Sequence, residues 1–205
     1  PLYEGKMIWH FDHRAASVVV NMDNQHRPSY PRETTLEEHE NANFYSEPQF
    51  WVLAEDAQNL DKPVIGFRDV TNPTDRRTFD ACYLPYYYAG NTLALISEEN
   101  GNNNSLMPLL ANFNSIIFDY ISRQKVQKNH LSWYIVEQLP VIPLDRLENT
   151  FFGSKSALSI ILESAVELTY VSNDMVRVAE GLGHIDVNGD VRAPFAWNEN
   201  RRRHI

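Results

Sequence analysis

Lys62 to Pro85 reads KPVIGFRDVTNPTDRRTFDACYLP: an apolar run, a cluster of turn formers and a second apolar run. Val64, Ile65, Phe67 and Val70 have the density of a buried strand, and TNPTDRRT after them closes it. From Phe79 the chain resumes as FDACYLPYYYAGNTLALIS, which supplies one or two further strands. The expectation is an α+β fold, with a mixed, mainly antiparallel sheet between roughly Lys6 and Leu144 and helices packed on it.

Downstream, MPLLANFNSIIFDYIS places Leu109, Leu110, Phe113, Ile116, Ile117, Tyr120 and Ile121 at helical spacing. This predicts one helix over Leu109 to Ser122, with Pro108 in its first turn, where a missing N–H costs nothing. SWYIVEQLPVIPL reads as a strand closed by prolines, and KSALSIILESAVEL as a second helix. SNDMVRVAEGLG reads as a third, with Ser172 as N-cap and Gly181 or Gly183 as the stop. Residues 1–145 therefore form the main unit, and 146–205 a helical extension centred on Ser154 to Gly183.

Upstream, KMIWHFDHRA alternates Met7, Trp9 and Phe11 with Lys6, Ile8, His10 and Asp12, the period of a half-buried strand. On a strand His10 and Asp12 share one face and His13 takes the other, which is poor geometry for a shared metal. Asn21 to Phe44, rich in polar residues and prolines, reads as a long irregular connection, and QFWVLAEDA as a strand.

A chain of 205 residues, 43% hydrophobic, can bury a real core as one large domain or one domain with a small appendage. No apolar run is long enough for a membrane span, and no segment resembles a signal peptide. Cys82 is the single cysteine, so no internal disulfide forms, in keeping with a reducing, cytoplasmic compartment. The start at Pro1 and the end in NENRRRHI, where a charged helix begins, suggest a piece of a longer protein. Net charge is -9, which on average disfavours a nucleic-acid partner. The charge is unevenly spread, however. Asp23 to Asp61 holds nine acids against two arginines, whereas Arg123 to His130 holds Arg123, Lys125 and Lys128 with no acid.

Two stretches carry candidate binding chemistry. GFRDVTNPTDRR sets Arg68, Asp69, Asp75, Arg76 and Arg77 around a turn, either a loop that contacts phosphate or guanine or a solvated turn with Arg–Asp pairs. SRQKVQKNHLSW mixes cations with the amides of Gln124, Gln127 and Asn129, then His130 and Trp133. This is the chemistry a DNA groove asks for, or else a solvated helix end. Glu163, Glu167 and Asp174 read as a wet helical face, and Tyr86 to Tyr88 as base-stacking residues or core-boundary tyrosines. There is no glycine-rich phosphate loop, no GxSxG, and no Asn-Pro-Pro-Tyr or Asp-Pro-Pro-Tyr motif.

LYEGKMIWHFDHR, VIGFRDVTNPTDRRTF, LLANFNSIIFDYISRQKVQKNHLSWYIVEQLPVIP, and ELTYVSND followed by PFAWNENRR together resemble one family, in its order, from about Leu2 onward. They are similar to the C-terminal specificity region of Type IIG-like N-6 adenine DNA methyltransferases of bacterial restriction–modification, and of their Type ISP and phage-defence relatives. The chain departs from that pattern at Gln127 and Lys128, where a pair of glycines is usual, and at Trp9, where a polar residue is usual. The resemblance implies a DNA target-recognition domain over 1–145, with duplex DNA and the parent's methyltransferase domain as partners. S-adenosylmethionine would be held by that other domain, with no cofactor, metal or catalytic residue in this segment; in the parent an endonuclease can accompany methylation. On this reading Arg68, Arg76, Arg77, Arg123, Lys125, Lys128 and His130 contact DNA, and Gln124 and Asn129 read base edges. His10, Asp12 and Arg14 position loops or face DNA. The alternatives are a metal-dependent hydrolase built on His10, Asp12, His13 and Asp69, and a protein-interaction module of a multidomain phage-defence protein.

Overall fold

The computed structural model describes residues 1–26, 28–53, 55, 64–85, 88–98, 103–127 and 129–205. The fold is α+β, with antiparallel sheets and packed helices. No helix among the described residues is long and apolar enough to cross a membrane.

The N-terminal stretch is not the expected strand. Gly5–Met7 forms a 3-10 turn, and Trp9 and Asp12 then exchange both backbone hydrogen bonds (2.8 and 3.0 Å) around Phe11, whose φ is 55°. The alternation misleads because Met7 and Ile8 are both buried, against Tyr3, Val64, Cys82 and Leu84. Gly5 permits the approach: a Cβ there would lie 2.5 Å from the Thr92 carbonyl oxygen.

Strand β1 (Ala16–Val20) follows and pairs antiparallel with β2 (Ser29–Glu33), Val18 opposite Pro31. A proline that cannot donate is tolerated in this two-stranded ribbon. Helix α1 (Leu36–Glu40) comes next, so Asn21 to Phe44 is not irregular throughout. Its start is a capping box: Thr35 accepts from the Glu38 N–H (3.2 Å), and Glu38 accepts from the Thr35 N–H (2.9 Å). QFWVLAEDA forms no strand among its described residues, and Ala54, Asp56 and Ala57 lie outside them.

The central strands fall where expected, but the sheet they form spans Val64 to Ile96 rather than Lys6 to Leu144. β3 (Val64–Arg68), β4 (Ala81–Leu84) and β5 (Leu93–Ile96) form an antiparallel sheet of order β4-β3-β5. Phe67, Phe79 and Tyr83 face a core that continues into α2 (Asn103–Phe113) and α3 (Ile116–Lys125).

The single expected helix is thus two, and Pro108 lies inside α2 rather than in its first turn. The break at Asn114–Ser115 has a side-chain cause. Asn114 donates through Nδ2 to the Ala81 carbonyl (2.9 Å) and accepts from the Ala81 N–H (3.2 Å), while Ser115 caps α3 by accepting from the Phe118 N–H (3.1 Å). Breaking the stripe also changes its exposure: Ile116, Ile117 and Tyr120 are 75%, 73% and 63% exposed.

The stretch SWYIVEQLPVIPL is helical, not a strand, in α4 (Trp133–Val136) and at the start of α5 (Leu144–Asn149). A short hairpin, β6 (Phe151–Phe152) and β7 (Lys155–Ser156), turns through Gly153 at φ 64° into α6 (Ala157–Thr169). A 3-10 turn at Asn173–Met175 leads to α7 (Val176–Gly181), and α8 (Glu199–Arg202) follows. Helix α6 packs on α2 and α5, so Ala165, Val166 and Tyr170 share one apolar cluster with Leu106, Met107 and Leu110.

Candidate nucleic-acid interface

The two stretches with binding chemistry, sixty residues apart in sequence, lie side by side. As the chain leaves β3, the Asp69 carbonyl accepts from the Leu131 N–H (2.8 Å), and the Thr71 N–H donates to the Asn129 carbonyl (3.1 Å). Val70 and His130 form an antiparallel bridge between them. The loop after Thr71 is then fastened to α3. Asp119 Oδ1 accepts from the Thr78 and Phe79 N–H groups (2.7 and 3.0 Å), and its Oδ2 accepts from Arg123 (3.2 Å). The same guanidinium donates to the carbonyls of Pro73 (2.7 Å) and Arg76 (3.3 Å). Burial pushes the Asp119 carboxyl up, but those two N–H groups and Arg123 outweigh it and hold it below the usual carboxylate range.

This arrangement sorts the expected contact residues. Arg76, Gln124, Lys125, Asn129 and His130 are exposed, and Arg77 is half-buried. Arg76, Gln124 and Asn129 have no side-chain partner among the described residues, Lys125 reaches only Gln138 Oε1 (3.3 Å), and His130 pairs with Asp69 (3.0 Å). Two others are corrected. Arg68 lies 2.9 Å from the buried Asp80 carboxylate and over the Trp9 ring, and Arg123 is committed to Asp119 and two carbonyls. Both are engaged inside the protein, Arg68 by the buried Asp80 and Arg123 by Asp119 and two carbonyls, so neither is a free surface cation. Lys128, and Tyr86 and Tyr87 of the tyrosine run, lie outside the described residues.

His10, Asp12, His13 and Arg14 turn to separate partners and do not converge on one point. His10 Nε2 lies 2.9 Å from Asp80, His13 pairs with Asp174 (3.0 Å), and Asp12 accepts from His39 (2.9 Å). Arg14, 0% exposed, cannot face DNA: it donates to the carbonyls of Asn41, Phe44, His39 and Val171 and ties the N-terminal turn to the segment after α6. The ligand set of the metal-hydrolase alternative is therefore dispersed. Among the described residues no group of three or more His, Cys, Asp or Glu has metal-holding geometry. Ser172 approaches the His13 nitrogen that already faces Asp174, and all three side chains are buried or nearly so, unlike a nucleophile–base–acid relay.

Burial pushes the carboxyls of Asp12 and Asp174 up, but the imidazoles of His39 and His13, with other hydrogen bonds, bring both below the ordinary 3.8. A folded-state value below the unfolded one stabilises the fold at pH above the unfolded value, and the gain is lost as pH falls through the folded value. The melting temperature is accordingly expected to hold from neutral pH down to about pH 5, and to fall steadily below about pH 4. Scanning calorimetry across that range checks this, and Asp174→Asn is expected to blunt the fall.

Two further surfaces border the loops. Arg68 and Arg76 reach a cleft of about 640 Å³ whose walls include Trp9 and Trp197; the Trp197 ring stacks on His39 (3.8 Å) and lies under Arg202 (3.9 Å). An apolar groove of about 450 Å³ runs between α3 and the Pro140–Ile142 segment, edged by Ile117, Val141 and Ile142. Sequence reasoning missed the Asp119–Arg123 clamp, although its i, i+4 spacing was a signal, and missed the Trp197–Arg202 stack, for which there was none. No protein-family model, curated protein or solved structure matches this chain.

Proposed function

We propose that this chain is a sequence-specific DNA-recognition region that presents a target adenine to an S-adenosylmethionine-dependent methyltransferase domain of the same restriction–modification protein. The observation that carries the reading is the lacing of Asp69–Thr71 to Asn129–Leu131, which sets the loop of Arg76 beside Gln124 and Lys125 at the end of α3 and Asn129 and His130 just after it. Guanidinium and ammonium groups suit phosphates and guanine edges, and amides suit adenine edges. The clamp from α3 supports a preorganised loop, which binds without first losing conformational freedom. Extrusion of the base costs a few kcal/mol, and recognition contacts offset part of that. Methylome sequencing of cells carrying the gene tests the reading. N-6-methyladenine at one recurring sequence, lost with Arg76→Ala, is expected; its absence from an expressing strain would contradict it.

A second reading, a protein-interaction module, is favoured by one observation: the exposed Ile116, Ile117 and Tyr120 beside the apolar groove, an apolar surface of the kind that marks interfaces. Ile117→Glu separates the two. It abolishes partner binding on the second reading and leaves duplex binding intact on the first.

A further inference from the structure

A second cleft, of about 610 Å³, lies between the N-terminal turn, the start of α3, α6 and α8. In a chain with 27 acids against 18 lysines and arginines, its described lining holds Arg77, Arg202 and Arg203 and no Asp or Glu side chain. Arg77 and Arg202 form no ion pair among the described residues: Arg202 donates to the Leu168 carbonyl (2.7 Å) and lies over Trp197, and Arg203 has only Glu199 at 3.6 Å. The acids that act on these guanidiniums, Asp119 on Arg77, Asp12 and Glu167 on Arg202 and Glu199 on Arg203, lie outside the lining, so the face turned to the cleft is cationic. An external anion would complement it.

The rest of the lining narrows the ligand. Ile160, Ile161 and Leu168 give an apolar floor suited to a flat or aliphatic body. The Ser164 hydroxyl, without a partner among the described residues, sits in the same lining as a polar handle that a hydrocarbon chain would leave unmet. The volume is that of ordinary small-ligand clefts, about 300–1,000 Å³. We infer that this cleft binds a nucleoside monophosphate unit, its phosphate on Arg77, Arg202 and Arg203 and its base against the isoleucine floor. Planar, five-donor guanidiniums match phosphate oxygens bidentately, and a base or ribose offers the heteroatoms that Ser164 needs. Such a unit has two sources, a free mononucleotide or an unpaired nucleotide of a DNA strand. The inference goes beyond the loop-pair reading and shares only Arg77 with it.

Calorimetric titration with adenosine 5′-monophosphate tests it. Binding is expected, weakened about tenfold or more in Arg77→Ala/Arg203→Ala, the worth of a lost charge-assisted hydrogen bond. Adenosine and inorganic phosphate, each offering half of the chemistry, are expected to bind more weakly than the monophosphate. Ser164→Ala is expected to weaken adenosine and the monophosphate but not phosphate. Arg76→Ala, outside this cleft, should leave monophosphate binding unchanged while weakening duplex DNA, so the two readings fail separately. Competition by a duplex with one bulged adenosine, but not by a fully paired duplex, assigns the nucleotide to DNA; no competition by either assigns it to the free pool. Absence of monophosphate binding at millimolar concentration, or binding indifferent to the double arginine variant, overturns the inference.

Discussion

Arg14→Ala is expected to lower the free energy of unfolding by about 3–5 kcal/mol, the largest loss of any polar substitution in this chain. The side chain is wholly enclosed and donates to four carbonyls drawn from α1, the loop after it and the segment after α6. Truncation leaves those buried carbonyls without their donor, and each orphaned acceptor costs about 1–3 kcal/mol before relaxation. Burial lowers the guanidinium's own affinity for its proton, while Asp12 and Asp174 raise it, so the ion is held by the field of two carboxylates it does not touch directly. Arg14→Lys keeps the charge and loses the fork; it is expected to recover only part of the stability. Equilibrium urea unfolding of the three proteins measures this, and a loss below about 1 kcal/mol for alanine would mean that the segments are joined by something other than Arg14.

The second large effect is expected at Asp119. Its replacement by alanine removes acceptors from two buried backbone N–H groups and frees Arg123 from its carboxylate, a loss of about 2–4 kcal/mol. The loop carrying Arg76 and Arg77 should loosen in the same variant, seen as faster amide hydrogen exchange at Thr78 and Phe79. Arg123→Ala acts through the same clamp and distinguishes positioning from contact. If Arg123 positions the loop, duplex affinity falls while the dependence on salt keeps its slope; if it touches phosphate, the slope falls by about one. The clamp geometry leads to the first result.

The fold was legible where the local signal and the tertiary demand agreed. Val64 to Phe67 is apolar and fully buried, and α6 begins where Ser156 caps it. It was illegible where a distant partner decided. Asn114 ends α2 by pairing with Ala81 of β4, a contact that no helical period records. Phe11 adopts a left-handed conformation because the turn from Trp9 to Asp12 carries His10 to Asp80 and Asp12 to His39. At the loop pair, the sequence revealed which cations and amides exist, but not which are already engaged. Arg68 and Arg76 sit in one stretch; the buried Asp80 claims the first and leaves the second exposed.

The most direct test of the loop pair as a DNA-contacting surface is the salt dependence of duplex binding by the purified protein and by Arg76→Ala and Lys125→Ala. Binding that weakens steeply between about 50 and 200 mM salt is expected, with the slope of log K against log salt reduced by about one in each variant. Duplex binding that is absent at the lower salt, or a slope unchanged by either substitution, would contradict it.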